Sequence, residues 1–367
     1  MKRNVVLLLA VAVVLAIVAG SAIAAPRGER GVALNATLNA ARDYFEPTEP
    51  IALEFRIENR GPASVFVLRW QLPSDEIEAD LLAVTRDGQP VAYLGPLVKR
   101  AEPTLEDYVE IKAGDTLAIA FDPSAVYDLA EEGQYSIQYR AVLSDVLVAP
   151  PEETPGEPDE GLRVRATGRV AAETARVESN TMGFWFKGVG RIREPEMGLE
   201  TIGGYTKCTT TQQVTLQTAH SNATSISNKA IGHLAANPNG SSLYTYWFGT
   251  YTSQRFTLVK GHYNTIWDAF ANKSVTYDCG CKKRYYAYVY PSQPYKIYLC
   301  KVFWTAPALG RDSQAGTLVH EMSHFYVTAS TDDYVYGATG AHNLALTNPD
   351  QAVDNADNHE YFAEDQP

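Results

Sequence analysis

Apolar and polar positions alternate through the first half of the chain. In "IALEFRIENRGP", residues 51 to 62, Ile51, Leu53, Phe55 and Ile57 alternate with Ala52, Glu54, Arg56 and Glu58, and an Asn-Arg-Gly-Pro turn ends the run. "DTLAIAF" (Leu117, Ile119, Phe121) and "GQYSIQYRA" (Tyr135, Ile137, Tyr139) repeat the period of two. Short alternating strands over residues 33 to about 145 predict a small all-β, sandwich-like domain. Residues 148 to 161, "VAPPEETPGEPDEG", hold little to bury and read as an extended linker. Residues 162 to 203 read as a second connecting stretch, weakly patterned, around the apolar knot "MGFWF".

From about Tyr205 the period changes. "TTTQQVTLQTAHSNATSISNKAIGHLAAN" reads as a helix that is polar on one face. "RYYAYVYPSQPYKIYLCKVFW" reads as an aromatic hairpin around Pro-Ser-Gln-Pro. "DSQAGTLVHEMSHFYVTA" and "NPDQAVDNADNHEYFAED" read as helices, the second opened by Asn348 as cap and Pro349 at its first position. The expected organisation is two domains: an all-β region over 25–147 and an α+β, mostly helical domain over 204–367, joined by 148–203.

Charge sharpens that division. Of the formal net charge of -12, the part from Gly204 onward contributes almost nothing, with 11 Lys and Arg against 12 Asp and Glu. The N-terminal part is therefore the acidic one. An acidic chain with no basic stripe repels phosphate backbones, so nucleic acid is not an expected partner. The N-terminal half has no histidine, so no catalytic cluster is expected there.

The opening "MKRNVVLLLAVAVVLAIVAGSAIAAP" has two charges, an apolar run and small residues at Ala22 and Ala24. This is the pattern of a secretory signal peptide over residues 1–24, cut after Ala24. The mature chain is then expected outside the cell, with no membrane anchor. All four cysteines, Cys208, Cys279, Cys281 and Cys300, lie in the C-terminal part, and export favours two disulfides. Cys279 and Cys281 are too close to bridge each other easily, which leaves two connectivities.

The candidate chemistry lies in "LVHEMSHFYVTASTDDYVYG", residues 318 to 337. On a helix capped by Asp312 or Ser313, Leu318, Met322, Phe325 and Ala329 form an apolar stripe. His320 and His324 fall one turn apart on the neighbouring face, so both imidazoles can address one ion. Glu321 sits about 100° around from His320, close enough to reach a water on that ion without ligating it. A catalytic zinc needs a third ligand. Asp333, nine residues past His324, can return to it through a single turn, and Glu360 is a more distant candidate.

HEMSH followed by Thr331-Asp332-Asp333-Tyr334-Val335-Tyr336-Gly337 resembles the aspzincin signature of the deuterolysin-type metalloendopeptidases. The resemblance implies one Zn2+ held by His320, His324 and Asp333, with Glu321 as general base and Tyr336 as oxyanion donor. Ser330 departs from the glycine that starts the family's second motif. "NADNHEYFAE" further resembles the peptidyl-Lys branch, which implies that Asp357 and Glu360 bind the lysine after the scissile bond and makes Glu360 unnecessary as a ligand. Two carboxylates three apart near a helix end repel each other, and a cation between them relieves this. The same branch implies the pairs Cys208–Cys279 and Cys281–Cys300 and a zincin-type fold over 204–367.

The expected function is a secreted zinc endopeptidase, a monomer, that hydrolyses protein and peptide substrates on the amino side of lysine. It is expected to be made as a zymogen, with the β-rich region as prodomain. Lys187 and Lys207 in the connecting region are expected sites of self-maturation, and the aromatic hairpin is an expected edge for pairing with extended substrate. Two rivals remain: a deuterolysin-like protease of broader specificity, and a non-enzymatic surface-binding protein with a structural zinc.

Overall fold

The computed structural model describes residues 32–155, 162–166, 173–188 and 203–366, apart from 48, 75 and 102. The expected signal peptide lies outside these residues. Among those described, no helix is long and apolar enough to cross a membrane.

The alternating runs become strands where the pattern places them. Leu34–Ala40, Leu53–Asn59 and Thr116–Phe121 form a three-stranded antiparallel sheet. The long strand Gly133–Val146 anchors a second sheet with Leu82–Arg86, Met182–Phe186 and Glu173–Glu178. The inward residues of both sheets share one core, with the Phe55 and Tyr139 rings 4.5 Å apart across it.

The structure differs from the sequence reading over 148–203. Pro151–Pro155 pairs with Leu162–Ala166 as a hairpin. The "MGFWF" knot is the strand Met182–Phe186, which buries Phe184 and Phe186 in the β-rich core. Asn180 reinforces this by exchanging hydrogen bonds with the Leu38 backbone, 2.9 Å each way. The β-rich region therefore extends to Phe186. Two aromatic rings on alternate positions are enough to order a strand whose neighbours are polar.

The C-terminal region is helical around a separate core. Its longest helices are Thr210–Ala236 and Ser253–Asn272. Both cysteine pairs of the implied connectivity are bonded, Cys208–Cys279 and Cys281–Cys300. They close loops of 71 and 19 residues, which restrains the unfolded chain by about 3–5 kcal/mol each.

One sheet joins the two regions. Its order is Tyr205–Thr206, Thr276–Asp278, Lys296–Leu299, Tyr285–Val289, Leu97–Arg100. The last strand comes from the β-rich half. It runs antiparallel to Tyr285–Val289, with Leu97 opposite Val289, Val98 opposite Tyr288, Lys99 opposite Ala287 and Arg100 opposite Tyr285. The free edge of the aromatic hairpin is thus covered by the chain's own N-terminal half.

Candidate active site

The helix Gln314–His324 carries the histidines, and all its residues are buried. Ser313, not Asp312, is its cap: its hydroxyl accepts the Gly316 N–H at 2.9 Å. The Glu364 carboxylate sits over the same end, accepting from Ser313 N at 2.8 Å, Ser313 Oγ at 2.7 Å and Asp312 N at 3.1 Å. Gly316 permits this approach, since a Cβ at that position would lie 1.9 Å from Glu364 Oε1.

The helix ends at His324, a turn earlier than its apolar stripe predicts. Phe325 and Ala329 are buried, yet they belong to the turn that follows. Thr328 Oγ1 donates to the Met322 and Phe325 carbonyls, and Thr331 N donates to the Ser323 carbonyl. Carbonyls that a longer helix would have used internally are satisfied this way. Ser330 takes φ 56°, the left-handed conformation that glycine takes at no steric cost.

That turn brings Asp333 to the histidines. Asp333 Oδ1 lies 3.2 Å from His320 Nε2 and 3.5 Å from His324 Nε2. His324 Nδ1 faces the Thr331 carbonyl at 2.8 Å, which holds the proton on Nδ1 and leaves Nε2 as a lone pair. His320 Nε2, His324 Nε2 and both Asp333 oxygens are buried without a hydrogen-bond partner. Four orphaned polar atoms in one place are costly unless a ligand satisfies them. Two imidazole nitrogens and a carboxylate form a donor set that suits Zn2+. Burial pushes His324 down to about 4, which keeps it neutral and able to ligate.

Glu321 is buried beside this group, and neither of its carboxylate oxygens has a partner. Burial pushes its carboxyl up to about 8; the charges of His320 and Lys99 oppose that push, and Asp333 adds to it. Tyr336 caps the helix Gly337–Thr347, and burial together with Asp333 raises its phenol well above the ordinary range. Gly337 has φ 77°, and its N–H donates to Asp357 Oδ2 at 2.6 Å. The Asn355 side chain accepts the Tyr334 and Val335 N–H groups, tying the Asp333 turn to the last helix.

The C-terminal segment read as one helix is two, Pro349–Ala352 and Ala356–Glu364. Asp357 and Glu360 lie on the second and are fully enclosed. A cation stands between them. Lys99 Nζ, from the Leu97–Arg100 strand, lies 2.6 Å from Glu360 Oε2, 3.3 Å from Asp312 Oδ1 and 3.5 Å from Asp357 Oδ1. The side chain is almost fully buried, with the Tyr286 and Tyr361 rings flanking the ammonium at 5.0 and 5.7 Å. Burial alone would lower the Lys99 pKa. The three carboxylates outweigh it and hold the amine charged, well above its ordinary range.

The sequence reading missed Lys99, Asp312, Tyr286 and Tyr361 as members of this site. Nothing local distinguishes Lys99 from the other basic residues of the chain. Asp312 read only as a helix cap, yet it accepts the Tyr361 hydroxyl at 2.8 Å and turns its charge to the pocket.

Further contacts join the β-rich half to the hairpin. Lys283 bridges Glu76 at 2.5 Å and also Glu78, the Tyr285 hydroxyl donates to Glu78 at 2.6 Å, and Arg284 meets Asp107 at 2.7 Å. Arg100 bridges Glu78 at 3.2 Å, with its guanidinium over the Trp70 and Tyr285 rings.

The family described as Lysine-specific metallo-endopeptidase, Aspzincin_M35, matches residues 233–364. An extracellular protease of Aeromonas hydrophila is 42% identical over 328 residues, which is 87% of this chain and 89% of that protein. This chain belongs to the aspzincin metalloendopeptidases. A peptidyl-Lys metalloendopeptidase of Pleurotus ostreatus is 44% identical over 161 residues, 44% of this chain and 95% of its own length. A solved zinc peptidase from Grifola frondosa is 44% identical, covering 44% of this chain and 98% of its own, with a TM-score of 0.42.

Proposed function

We propose that this aspzincin is a secreted zinc endopeptidase that cleaves on the amino side of lysine and is made as a zymogen. The observation that carries the reading is the Lys99 ammonium among Glu360, Asp312 and Asp357, on a strand laid along Tyr285–Val289. Three carboxylates around one buried amine form a pocket for lysine rather than for an apolar or acidic side chain. This arrangement favours lysine specificity over the broader deuterolysin-like alternative.

In this reading His320, His324 and Asp333 hold the zinc. When bound, zinc supplies Lewis-acid polarisation of the scissile carbonyl and an acidified water. A substrate strand pairs with Tyr285–Val289 as residues 97–100 do, and its lysine enters the pocket of Asp357, Glu360 and Asp312. Glu321 takes a proton from the attacking water and returns it to the leaving amine. Its burial beside the candidate ligands places it for both transfers. Tyr336, whose raised pKa keeps its hydroxyl protonated, donates to the oxyanion.

The β-rich region acts as prodomain. Its Leu97–Arg100 strand fills the cleft as a substrate would and denies both the edge strand and the lysine pocket to other peptides. Maturation separates the two regions at an exposed lysine between them. Lys187 follows the last β-rich strand with its side chain about half exposed, and Lys207 precedes the first long helix. The apolar leader and the Aeromonas relative's printed name, extracellular protease, support export.

The test is a map of the bonds cut in a mixed protein digest, with and without chelator. Cuts confined to Xaa–Lys bonds, abolished by chelator and restored by Zn2+, are the expected result. Chelator-sensitive cuts spread over many residue types would leave a broad-specificity aspzincin, and a chelator-insensitive digest would remove the zinc.

A further inference from the structure

The Asp357 carboxylate touches three things at once. Its Oδ1 lies 2.8 Å from His320 Nδ1 and 3.5 Å from the Lys99 ammonium, and its Oδ2 accepts the N–H of Gly337, the residue after Tyr336. Glu360 divides its contacts the other way, at 2.6 Å from the ammonium and 3.3 Å from His320 Nδ1. Both carboxylates are sealed from solvent, so no water substitutes for either. Of the two, Glu360 is the anchor for the amine and Asp357 is the nearer partner of the imidazole.

We infer that Asp357 is a positioning residue for the metal centre as well as a wall of the lysine pocket. Its Oδ1 faces His320 Nδ1 at 2.8 Å, placed to hold the proton on that nitrogen and leave Nε2 for the ion. A carboxylate behind a ligating imidazole orients the ring and strengthens it as a donor, and losing one typically costs 10–100-fold in metal affinity. Because Oδ1 also faces the lysine amine, filling the pocket draws negative charge away from His320. Specificity and metal binding therefore meet on one oxygen atom. The same residue steadies the Tyr336 turn through Gly337, whose φ of 77° is open to glycine alone without strain.

This inference rests on the zinc-peptidase reading above, and its test is built to fail separately. Zinc retention by the processed enzyme is measured against a graded chelator for wild type, Asp357→Asn and Glu360→Gln, together with kcat and KM on lysyl and non-lysyl peptides. Asp357→Asn is expected to lose about 10–100-fold in zinc affinity and to lose kcat on both peptide classes. Glu360→Gln is expected to lose less zinc affinity than Asp357→Asn, with its larger kinetic loss on lysyl peptides and seen mainly in KM. Unchanged zinc affinity in Asp357→Asn overturns the assignment, and so does an equal loss in both variants. If the Asn variant does not fold, Asp357→Glu keeps the charge but displaces the oxygen, and it must show the same loss at an unchanged melting temperature of the metal-free protein. A wild-type enzyme that holds no zinc at all would instead sink the underlying reading.

Discussion

Lys99 and Glu360 stand 261 positions apart in the chain, yet the ammonium of one lies 2.6 Å from a carboxylate oxygen of the other, both sealed from solvent. The strand bearing Lys99 belongs to the acidic half, and the helix bearing Glu360 closes the catalytic half. Their contact links the N-terminal region to the last helix of the chain.

Removing the nearest carboxylate is expected to weaken lysine recognition. Breaking one partner of a buried charge pair costs about 2–5 kcal/mol. Glu360→Gln is therefore expected to lower kcat/KM for lysyl peptides by at least about 30-fold. Peptides with neutral residues in that position are expected to lose less. The ratio of kcat/KM between the two peptide classes is the measurement, and a ratio equal to the wild-type value contradicts the pocket.

If the N-terminal region acts as the proposed prodomain, removing the Lys99 amine is expected to loosen its inhibition. In Lys99→Ala the strand keeps its backbone pairing with Tyr285–Val289 but leaves three carboxylates without their cation. The uncleaved full-length chain is expected to gain at least about tenfold in hydrolysis of a lysyl peptide, since a buried pair is worth more than 1.4 kcal/mol. Activity of the variant that appears only after cleavage would show that Lys99 is not the plug.

Glu321→Gln is expected to cut kcat by about 10²–10⁴-fold, the usual contribution of a positioned proton carrier. It is expected to leave zinc bound. The same variant tests self-maturation by sequencing of N-termini. If wild type and variant show the same N-terminus, another protease does the processing.

Acid is expected to release the N-terminal region. Burial raises the Glu78 carboxyl, but hydrogen bonds from Lys283 and Tyr285 and the charge of Arg100 outweigh that and hold it below its ordinary value. A depressed carboxyl stabilises the closed arrangement above its free pKa of about 4.3 and loses that contribution as pH falls through the lower bound value. After processing, the two regions are expected to co-elute at pH 7 and to separate as pH falls below the ordinary carboxylate range. Glu78→Gln is expected to move the separation toward neutral pH, and co-elution of the wild-type regions at pH 3 would exclude this bridge.

Gly316→Ala is expected to destabilise the fold. Alanine in place of glycine gains about 1 kcal/mol of helix propensity. Here its Cβ meets Glu364 Oε1 at 1.9 Å, and overpacking of this kind costs about 1–3 kcal/mol before the lost cap is counted. A lower denaturation midpoint than wild type is expected, and an equal or higher one contradicts the packing.

Much of the catalytic half was legible because its signals are local. HEMSH on a buried helix, the Asp333 spacing and the Gly337 turn each depend on residues within twenty positions of one another. Two boundaries were misread for the same reason. The apolar stripe through Phe325 and Ala329 is real burial, but a turn rather than a helix delivers it. The strands after residue 150 looked like linker because proline and glutamate outnumber the two rings that order Met182–Phe186.

The sequence by itself determined most of the elements and the approach of Asp333 to His320 and His324, because periodicity and short spacings fix what one helix and one turn can bring together. Only the tertiary structure decided what stands between Asp357 and Glu360. The contact of Lys99 with Glu360, Asp312 and Asp357 depends on the register of one four-residue strand against a hairpin nearly 190 positions away, and no short-range pattern encodes that register.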